Sequence, residues 1–482
     1  MTTKKITVIT PNGKTVLNAD EGAVLADVLS SAGFTVTAAC GRKGTCGKCA
    51  VRLISGEFSN EKAENGMIRS CKATVQTDAV IAADLQKGSG LTDFTAEPEM
   101  KKGVCGIAVD IGTTTVAASL LKKDGSVVSR SCLNPQSVFG ADVISRIEAC
   151  SSGSLGEQTR LIRSCIKELT DELNTDSEAQ EIVISGNTTM LHLFCGISPE
   201  SMGVFPFTPQ FTDVQHFDGA ELGFSVKKVT VLPSVSAYIG SDIVSGIYAL
   251  GLHKTDKRIF LADLGTNGEL VLSDRGKLFC TSTAAGPALE GACIECGMGG
   301  VSGAIDKVYI ENGEIRYTVI GSAEPVGICG AGITDAVALL VSEGKVDSGG
   351  YMEEDFQISQ NVRLTAKDIR QFQLAKSAVY SGIETLNEVV GIENSEVDTF
   401  CIAGGLGYYI NPESAFTAGL LPKAANVKAV GNTSLLGALM CIGHSEAVEK
   451  MRKISKECTL VDLGGNPKFS ERFMNNMFFD EE

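Results

Sequence analysis

Ile107-Ala-Val-Asp-Ile-Gly-Thr-Thr-Thr115 is the stretch on which the reading of this chain turns. It starts as an apolar run suited to a buried strand and ends in a glycine followed by three threonines. An acid at a strand end can hold a hydrated Mg²⁺. A glycine lets backbone N–H groups come close to a phosphate, and neighbouring hydroxyls can donate to its oxygens. Alone, such a run is a common turn. A second copy lies at Phe260-Leu-Ala-Asp263-Leu-Gly265-Thr266-Asn267-Gly268-Glu269. Both copies continue into an apolar strand and a tight turn. Val116–Leu121 turns at Asp124-Gly125 and returns through Val127-Val128; Leu270–Leu272 turns at Asp274-Arg275-Gly276 and returns through Leu278-Phe279. Strand, phosphate turn, strand and hairpin at matching offsets predict two homologous subdomains meeting over a nucleotide.

A third stretch, Thr399-Phe-Cys-Ile-Ala-Gly404-Gly405-Leu-Gly407, reads as an apolar strand ending in a Gly-Gly turn, with a helix expected over Thr433–Gly443. The three stretches, in this order, resemble the two phosphate loops and the adenosine element of the actin, sugar-kinase and heat-shock-chaperone ATPase superfamily. That resemblance implies a duplicated ribonuclease-H-like α/β fold. It puts Asp110 and Asp263 on Mg²⁺ and its waters, Gly112, Thr113, Thr114, Gly265, Thr266 and Asn267 on the phosphates, and Gly404, Gly405 and Gly407 on adenosine. In the superfamily the strand end at Ile182-Val-Ile-Ser-Gly186-Asn187 faces the γ-phosphate. Asn187 is thus a candidate for orienting the attacking water, with helix capping as its other reading.

The other informative stretch is Cys40-Gly-Arg-Lys-Gly44-Thr-Cys46-Gly47-Lys-Cys49, followed by an expected strand Val51–Ile54 and by Cys71. Three thiolates from one glycine-rich loop and a fourth from a distant turn suit a 2Fe–2S cluster, the glycines allowing the loop to wrap the inorganic core. Zinc is the alternative, but zinc ribbons pair two close C-x2-C units and only one stands here. A hairpin, Ile6–Thr10 with Lys14–Leu17, and a helix, Val24–Ser31, precede the loop. The order hairpin, helix, loop, strand resembles a β-grasp ferredoxin of the adrenodoxin-like branch, with a trimmed last interval. Arg42, Lys43, Lys48, Arg52, Arg69 and Lys72 surround these cysteines. They read either as compensation for a negatively charged cluster or as a docking face for an acidic redox partner.

At 482 residues the chain is too long for one core. Its expected divisions are a ferredoxin-like domain over 1–85, a polar Gly- and Pro-containing linker over 86–103, and ATPase subdomains over 104–257 and 258–482, the last with a helix and tail packing back. Hydrophobic residues at 43% and charged ones at 21% suit a globular protein. A net charge of −16 argues against nucleic acid as partner. With no apolar leader and no membrane-length apolar run, a cytoplasmic protein without a membrane association is expected. Most of the sixteen cysteines sit singly in apolar runs, as small hydrophobes do. His192, among Leu191, Leu193 and Phe194, reads as core. Cys293-Ile-Glu-Cys296, a lone C-x2-C, reads as neither metal nor redox site, and the glycine-dense Gly286–Gly291 and Gly297–Gly303 loops are expected to line the cleft.

A ferredoxin joined to an ATPase clamp makes sense where an electron must reach an acceptor that is unfavourable to reduce. The combination resembles the reductive activators of corrinoid proteins. The likeness runs through Cys40–Cys49 and Cys71, Asp110–Thr115, Asn134-Pro-Gln with Gly140-Ala-Asp142, Gly186-Asn187, Pro325–Gly330, Ala403-Gly-Gly405 and the tail. It implies ATP-dependent delivery of one electron from a 2Fe–2S cluster held by Cys40, Cys46, Cys49 and Cys71, reducing Co(II) to Co(I). The implied partners are a corrinoid protein of a methyltransferase system, an external low-potential electron donor and, as a homodimer, a second copy of the chain. Longer members carry a middle domain for which only the linker is expected here, leaving the mode of dimerisation open. A small-molecule kinase with a regulatory iron–sulfur domain and an ATP-sensing electron carrier are the competing readings.

Overall fold

The computed structural model describes residues 3–10, 13–32, 34, 49–63, 66–82, 102–404, 406, 410–424 and 426–479. Cys40, Cys46, Arg42, Lys43, Lys48, Gly405, Gly407 and nearly all of the linker lie outside the described residues.

The N-terminal unit is built on an antiparallel hairpin of β1 (Thr3–Thr10) and β2 (Gly13–Asp20), crossed by α1 (Leu25–Ser31). It continues through β3 (Ala50–Ser55), β4 (Phe58–Ser59), β5 (Met67–Arg69), β6 (Thr74–Val75) and β7 (Ala79–Ala82). The sheet order is β2-β1-β7-β3-β5, with β7 parallel to β1, and β4 pairs separately with β6. This is the expected β-grasp ferredoxin arrangement. Side chains alternate across a strand, so Ile6 and Val8 of β1 meet Ile81 of β7 and Leu25 and Leu29 of α1 in one core. Among the described residues that core draws on nothing beyond Ile81.

The larger unit contains two six-stranded sheets of matching plan. The first has order β10-β9-β8-β11-β13-β12, from β8 (Gly106–Ile111), β9 (Thr115–Leu121), β10 (Val127–Leu133), β11 (Glu181–Gly186), β12 (Gln215–Asp218) and β13 (Lys228–Val231). The second has order β23-β22-β14-β15-β16-β24, from β14 (Arg258–Leu264), β15 (Gly268–Asp274), β16 (Lys277–Thr283), β22 (Thr399–Ala403), β23 (Val427–Gly431) and β24 (Thr459–Leu460). Each opens with an antiparallel meander, β8-β9-β10 or β14-β15-β16. Two parallel strands then extend it, β11 and β13 or β22 and β23. Helix α2 (Val143–Ser151) follows the first meander, and α3 (Leu155–Leu173) and α7 (Ala366–Val390) take equivalent crossover positions. Helix α4 (Thr188–Cys195) follows β11. An insertion in the second half adds β17 (Ala304–Glu311), β18 (Glu314–Val319), β19 (Gly327–Ile328), α6 (Gly330–Ser342), β20 (Phe356–Gln357) and β21 (Arg363–Leu364).

Period-two alternation aims the acids. On β8, Ile107, Val109 and Ile111 pack outward against Ile162 and Ile166 of α3, while Ala108 faces the other way. On β14, Phe260, Ala262 and Leu264 join the core under α7, while Leu261 faces the other way. Ala108 and Leu261 meet in one shared core, completed by α5 (Ser241–Ala249) and the helix Thr433–Cys441 lying between the two sheets. Asp110 shares the face of Ala108 and Asp263 that of Leu261, so both carboxylates turn toward the other half.

The C-terminal strand β24 is short. Val461 N–H still donates to Cys280 at 2.8 Å, but the Asp462 side chain then accepts from Gly464 and turns the chain away. The tail packs on α7: Lys376 Nζ donates to the carbonyls of Asn476 and Phe478 at 2.7 and 2.6 Å. Among the described residues no helix is long and apolar enough to cross a membrane.

Candidate functional site

The first phosphate turn is held from behind. Gly112 N–H closes it on the Thr115 carbonyl at 2.9 Å. Asn134 donates its side-chain amide to the Gly112 carbonyl at 2.8 Å and its own N–H to that of Thr114 at 2.9 Å. Arg146 of α2 donates to the Thr113 carbonyl at 2.6 Å and the Gly140 carbonyl at 3.1 Å. In a planar trans peptide the C=O and the following N–H point opposite ways. Each carbonyl held in this way turns the following N–H, of Thr113, Thr114 or Thr115, away from the group that holds it. Arg146 is fully buried, and that burial lowers its pKa to about 9, so it stays charged at neutral pH. The second turn repeats the closure, Gly265 N–H to the Asn267 carbonyl at 3.0 Å.

The two turns meet on one carboxylate. Glu290 ends the short 3₁₀ turn Pro287–Glu290 after β16. Its Oε1 and Oε2 accept from the Thr114 hydroxyl at 3.4 and 3.3 Å, and Oε2 also accepts from the Thr266 hydroxyl. Hydroxyls from both halves that converge on an anion are what a nucleotide phosphate requires, so the residues present fit ATP.

Behind the turns stand four more acids. Asp110 accepts from Asn432 Nδ2 at 2.9 Å and Ser434 Oγ at 2.7 Å, at the start of the helix Thr433–Cys441. Burial raises its pKa against those two bonds. Burial, then the nearby charges of Asp110 and Glu290, pushes Asp263 up to about 7. Asp242, on α5, is pushed up to about 8 by burial and then by Asp263 and Asp110. Burial, followed by Asp242 and Asp263, also raises Glu269. Carboxylates that raise one another each hold a proton more readily than an isolated acid does, and a positive charge nearby would reverse that. Among the described residues no three acid, His or Cys side chains are arranged to ligate a metal directly. The resemblance implies that Mg²⁺ would be held through its waters and the nucleotide phosphates.

Two glycines are fixed by this crowding. Gly186, at φ +154°, lies where a Cβ would come within 2.6 Å of the Ile111 carbonyl oxygen, so β11 can end beside the first turn only without a side chain. Gly404, at φ +79°, lies where a Cβ would sit 2.5 Å from Asp263 Oδ1. Gly404 thus abuts the second acid. Asn187 is buried, and its Oδ1 accepts from Thr189 N–H at 3.0 Å as the cap of α4.

In the N-terminal unit Cys49 and Cys71 are both buried, with their sulfurs 3.1 Å apart. Two thiols brought together from a loop and a distant turn, in a ferredoxin-like sheet, fit half of a 2Fe–2S ligand set. Arg69 is engaged by Glu61 through Nε–Oε1 at 2.5 Å, so one of the expected basic groups has an acidic partner within its own unit.

Comparisons with known proteins agree with this anatomy. Residues 9–76 match the 2Fe-2S iron-sulfur cluster binding domain, and residues 257–482 match the C-terminal domain of RACo, the ASKHA domain. Residues 105–255 match the RACo middle region. Only a linker is expected in place of a middle region; the match falls instead on the half that carries the first phosphate turn. The chain is 35% identical over 439 residues to the corrinoid activation enzyme RamQ of Eubacterium limosum, covering 82% of this chain and 73% of that one. The chain belongs to the family of reductive activators of corrinoid proteins. A [Co(II) methylated amine-specific corrinoid protein] reductase of Methanosarcina barkeri is 23% identical over 393 residues, 73% of each chain. The solved structure of a reductive activator for corrinoid, iron-sulfur protein superposes with a TM-score of 0.73 at 26% identity, covering 99% of this chain and 98% of that one.

Arg146, Asp242, Glu269, Glu290, Asn432 and Ser434 were not picked out as site residues from the sequence. Glu290 lay inside a loop read only as cleft lining. Asp242 and Asn432 each stand at a helix start, a position that by itself signals capping.

Proposed function

We propose that this chain delivers one electron to a corrinoid protein of a methyltransferase system, reducing Co(II) to Co(I) in an ATP-dependent step. The observation that carries the reading is that one chain brings Cys49 and Cys71 together in a ferredoxin-like unit and turns Thr114 and Thr266 from two ATPase halves onto one anion. The 2Fe–2S cluster supplies a one-electron donor, for plant-type centres at about −400 mV. Cys49 and Cys71 hold it together with Cys40 and Cys46. Asp110 and Asp263 orient the waters of Mg²⁺. Gly112, Thr113, Thr114, Gly265, Thr266 and Asn267 bind the phosphates, and Gly404, Gly405 and Gly407 line the adenosine side. Asn187 fixes the end of β11 against the γ-phosphate region by capping α4.

Nucleotide binding draws the two halves together, because each contributes donors to the same phosphates. Closure moves α5 and the helix Thr433–Cys441, which lie between the sheets, and changes the face shown to the partner. The units are 1–85, a linker over 86–103, 104–257 and 258–482. The electron comes from an external low-potential donor, and the active assembly is a cytoplasmic homodimer.

The test is anaerobic. Chemically reduced protein is mixed with a Co(II) corrinoid protein, and the Co(I) absorption is followed with and without MgATP. Co(I) appearing only with MgATP is expected; equal Co(I) yields without it remove the coupling.

A further inference from the structure

Glu290 is the carboxylate in the cleft that touches both phosphate turns, and its partners are unusual for a structural acid. Its hydrogen bonds come from two hydroxyls, Thr114 and Thr266, not from a cation or from backbone amides. The nearest opposing charge is Arg146, whose guanidinium is already given to the Thr113 and Gly140 carbonyls and to Met190 Sδ. A carboxylate offers about four lone-pair positions, so acceptor capacity remains for a water. Glu290 is half-buried.

The backbone that carries it is immobilised. Ala288 and Leu289 are buried, and a Cβ on Gly330 at the start of α6 would come within 1.9 Å of the Leu289 carbonyl oxygen. Gly291, at φ +78°, lies where a Cβ would meet the Met298 backbone at 2.6 Å. The carboxylate is therefore aimed by a close-packed frame. Two of the other acids are committed elsewhere: Asp110 to Asn432 and Ser434, and Asp242 Oδ1 to the Ile243 N–H at 2.8 Å. Asn187 has given its side-chain oxygen to a helix cap, and an amide takes up no proton at neutral pH.

We propose that Glu290 is the catalytic base of ATP hydrolysis, an assignment that rests on the ATPase reading above. The water held by its carboxylate attacks the γ-phosphorus. A P–O bond forms to the water oxygen as the bond to the bridging β-γ oxygen breaks, and that bond's electron pair leaves with ADP. One water proton passes to Glu290, which releases it to solvent once phosphate departs. Thr114 and Thr266 belong to opposite halves of the cleft, so Glu290 stands against both phosphate turns only when the halves are closed. Hydrolysis is thereby confined to the closed state, in which the electron is delivered.

Glu290→Gln keeps the shape and the acceptor for the two hydroxyls and removes the basicity. MgATP affinity, measured by calorimetry on the full chain, should stay near that of the natural protein. Single-turnover hydrolysis, with and without a Co(II) corrinoid protein, should fall by about 100-fold or more, and intact ATP should be recovered from the variant after gel filtration. Glu290→Ala should regain part of its turnover with added formate. Hydrolysis by Glu290→Gln at the natural rate overturns the proposal. So does a loss of MgATP binding that accounts for the whole loss of turnover, since that is the behaviour of a latch. No ATP turnover by the natural protein, alone or with its partner, would overturn the ATPase reading itself.

Discussion

His192 is held neutral by its surroundings. Its Nε2 accepts from Gln210 N–H at 3.1 Å, which leaves Nδ1 to donate to the Thr188 carbonyl at 2.8 Å, and the ring stacks on Phe211 with centroids 4.3 Å apart. Burial, its largest influence, lowers its pKa below the usual value of 6.5. Below that value the unfolded chain takes up a proton that the fold refuses. Stability therefore falls as pH drops through about 6.5, by about 1.4 kcal/mol per pH unit at most, and levels only below the folded pKa. His192→Gln should flatten this slope in urea unfolding between pH 7.5 and 5.5, while equal slopes would mean that the histidine titrates freely in the fold. His192 was legible as core because its neighbours on the helix are apolar. Glu290 was not, because it stands in a glycine-rich loop without periodicity and Thr114 lies 176 residues away. Spacing along the chain carries no information about such a contact.

At the scale of elements, α5 and the helix Thr433–Cys441 cross with almost no space between them. A Cβ on Gly437 would lie 2.4 Å from the Ser245 carbonyl oxygen and 2.7 Å from its Cα, and one on Gly246 would lie 2.8 Å from Thr433 Oγ1. Ser245 Oγ also bonds Ser185 of β11 at 3.0 Å, and Ser434 Oγ bonds the same Ser185 at 2.9 Å, so strand and both helices are joined at the crossing. Gly437→Ala must push backbone against backbone. We expect a loss of about 1–3 kcal/mol in urea unfolding, with weaker MgATP binding because Asn432 and Ser434 shift away from Asp110. Unchanged affinity in a destabilised variant would limit the crossing to a structural role. The meanders and phosphate turns were readable because each strand is an apolar run ending in a distinctive turn. The crossing was not: a glycine in one helix says nothing about the backbone it will meet.

At the scale of the molecule, the iron–sulfur unit has its own core, ending at Ile81, whereas the two ATPase halves share one. Cys71→Ser should abolish the visible cluster absorption and Co(I) formation while leaving MgATP affinity unchanged. Asp110→Ala should do the reverse, keeping the cluster spectrum and losing ATP-dependent activation. Loss of the cluster in Asp110→Ala would show that the units are not separable. That the iron–sulfur unit precedes the ATPase was legible from its cysteine loop and the two phosphate turns. That α5 and a helix nearly two hundred residues later would fill one shared core was not, since it depends on three-dimensional closure.

That shared core also bears on how the protein is made. The bond from Ser434 to Asp110 spans 324 residues. At the usual ~5–20 residues per second of synthesis, β8 leaves the ribosome roughly a quarter of a minute to a minute before the helix that covers it exists. Throughout that interval the inner faces of β8 and β11, Ala108 and Val183 among them, lack their cover. The iron–sulfur unit can close as soon as β7 emerges, while the first ATPase half must wait as a nascent chain with an open apolar face, the kind of surface that chaperones bind.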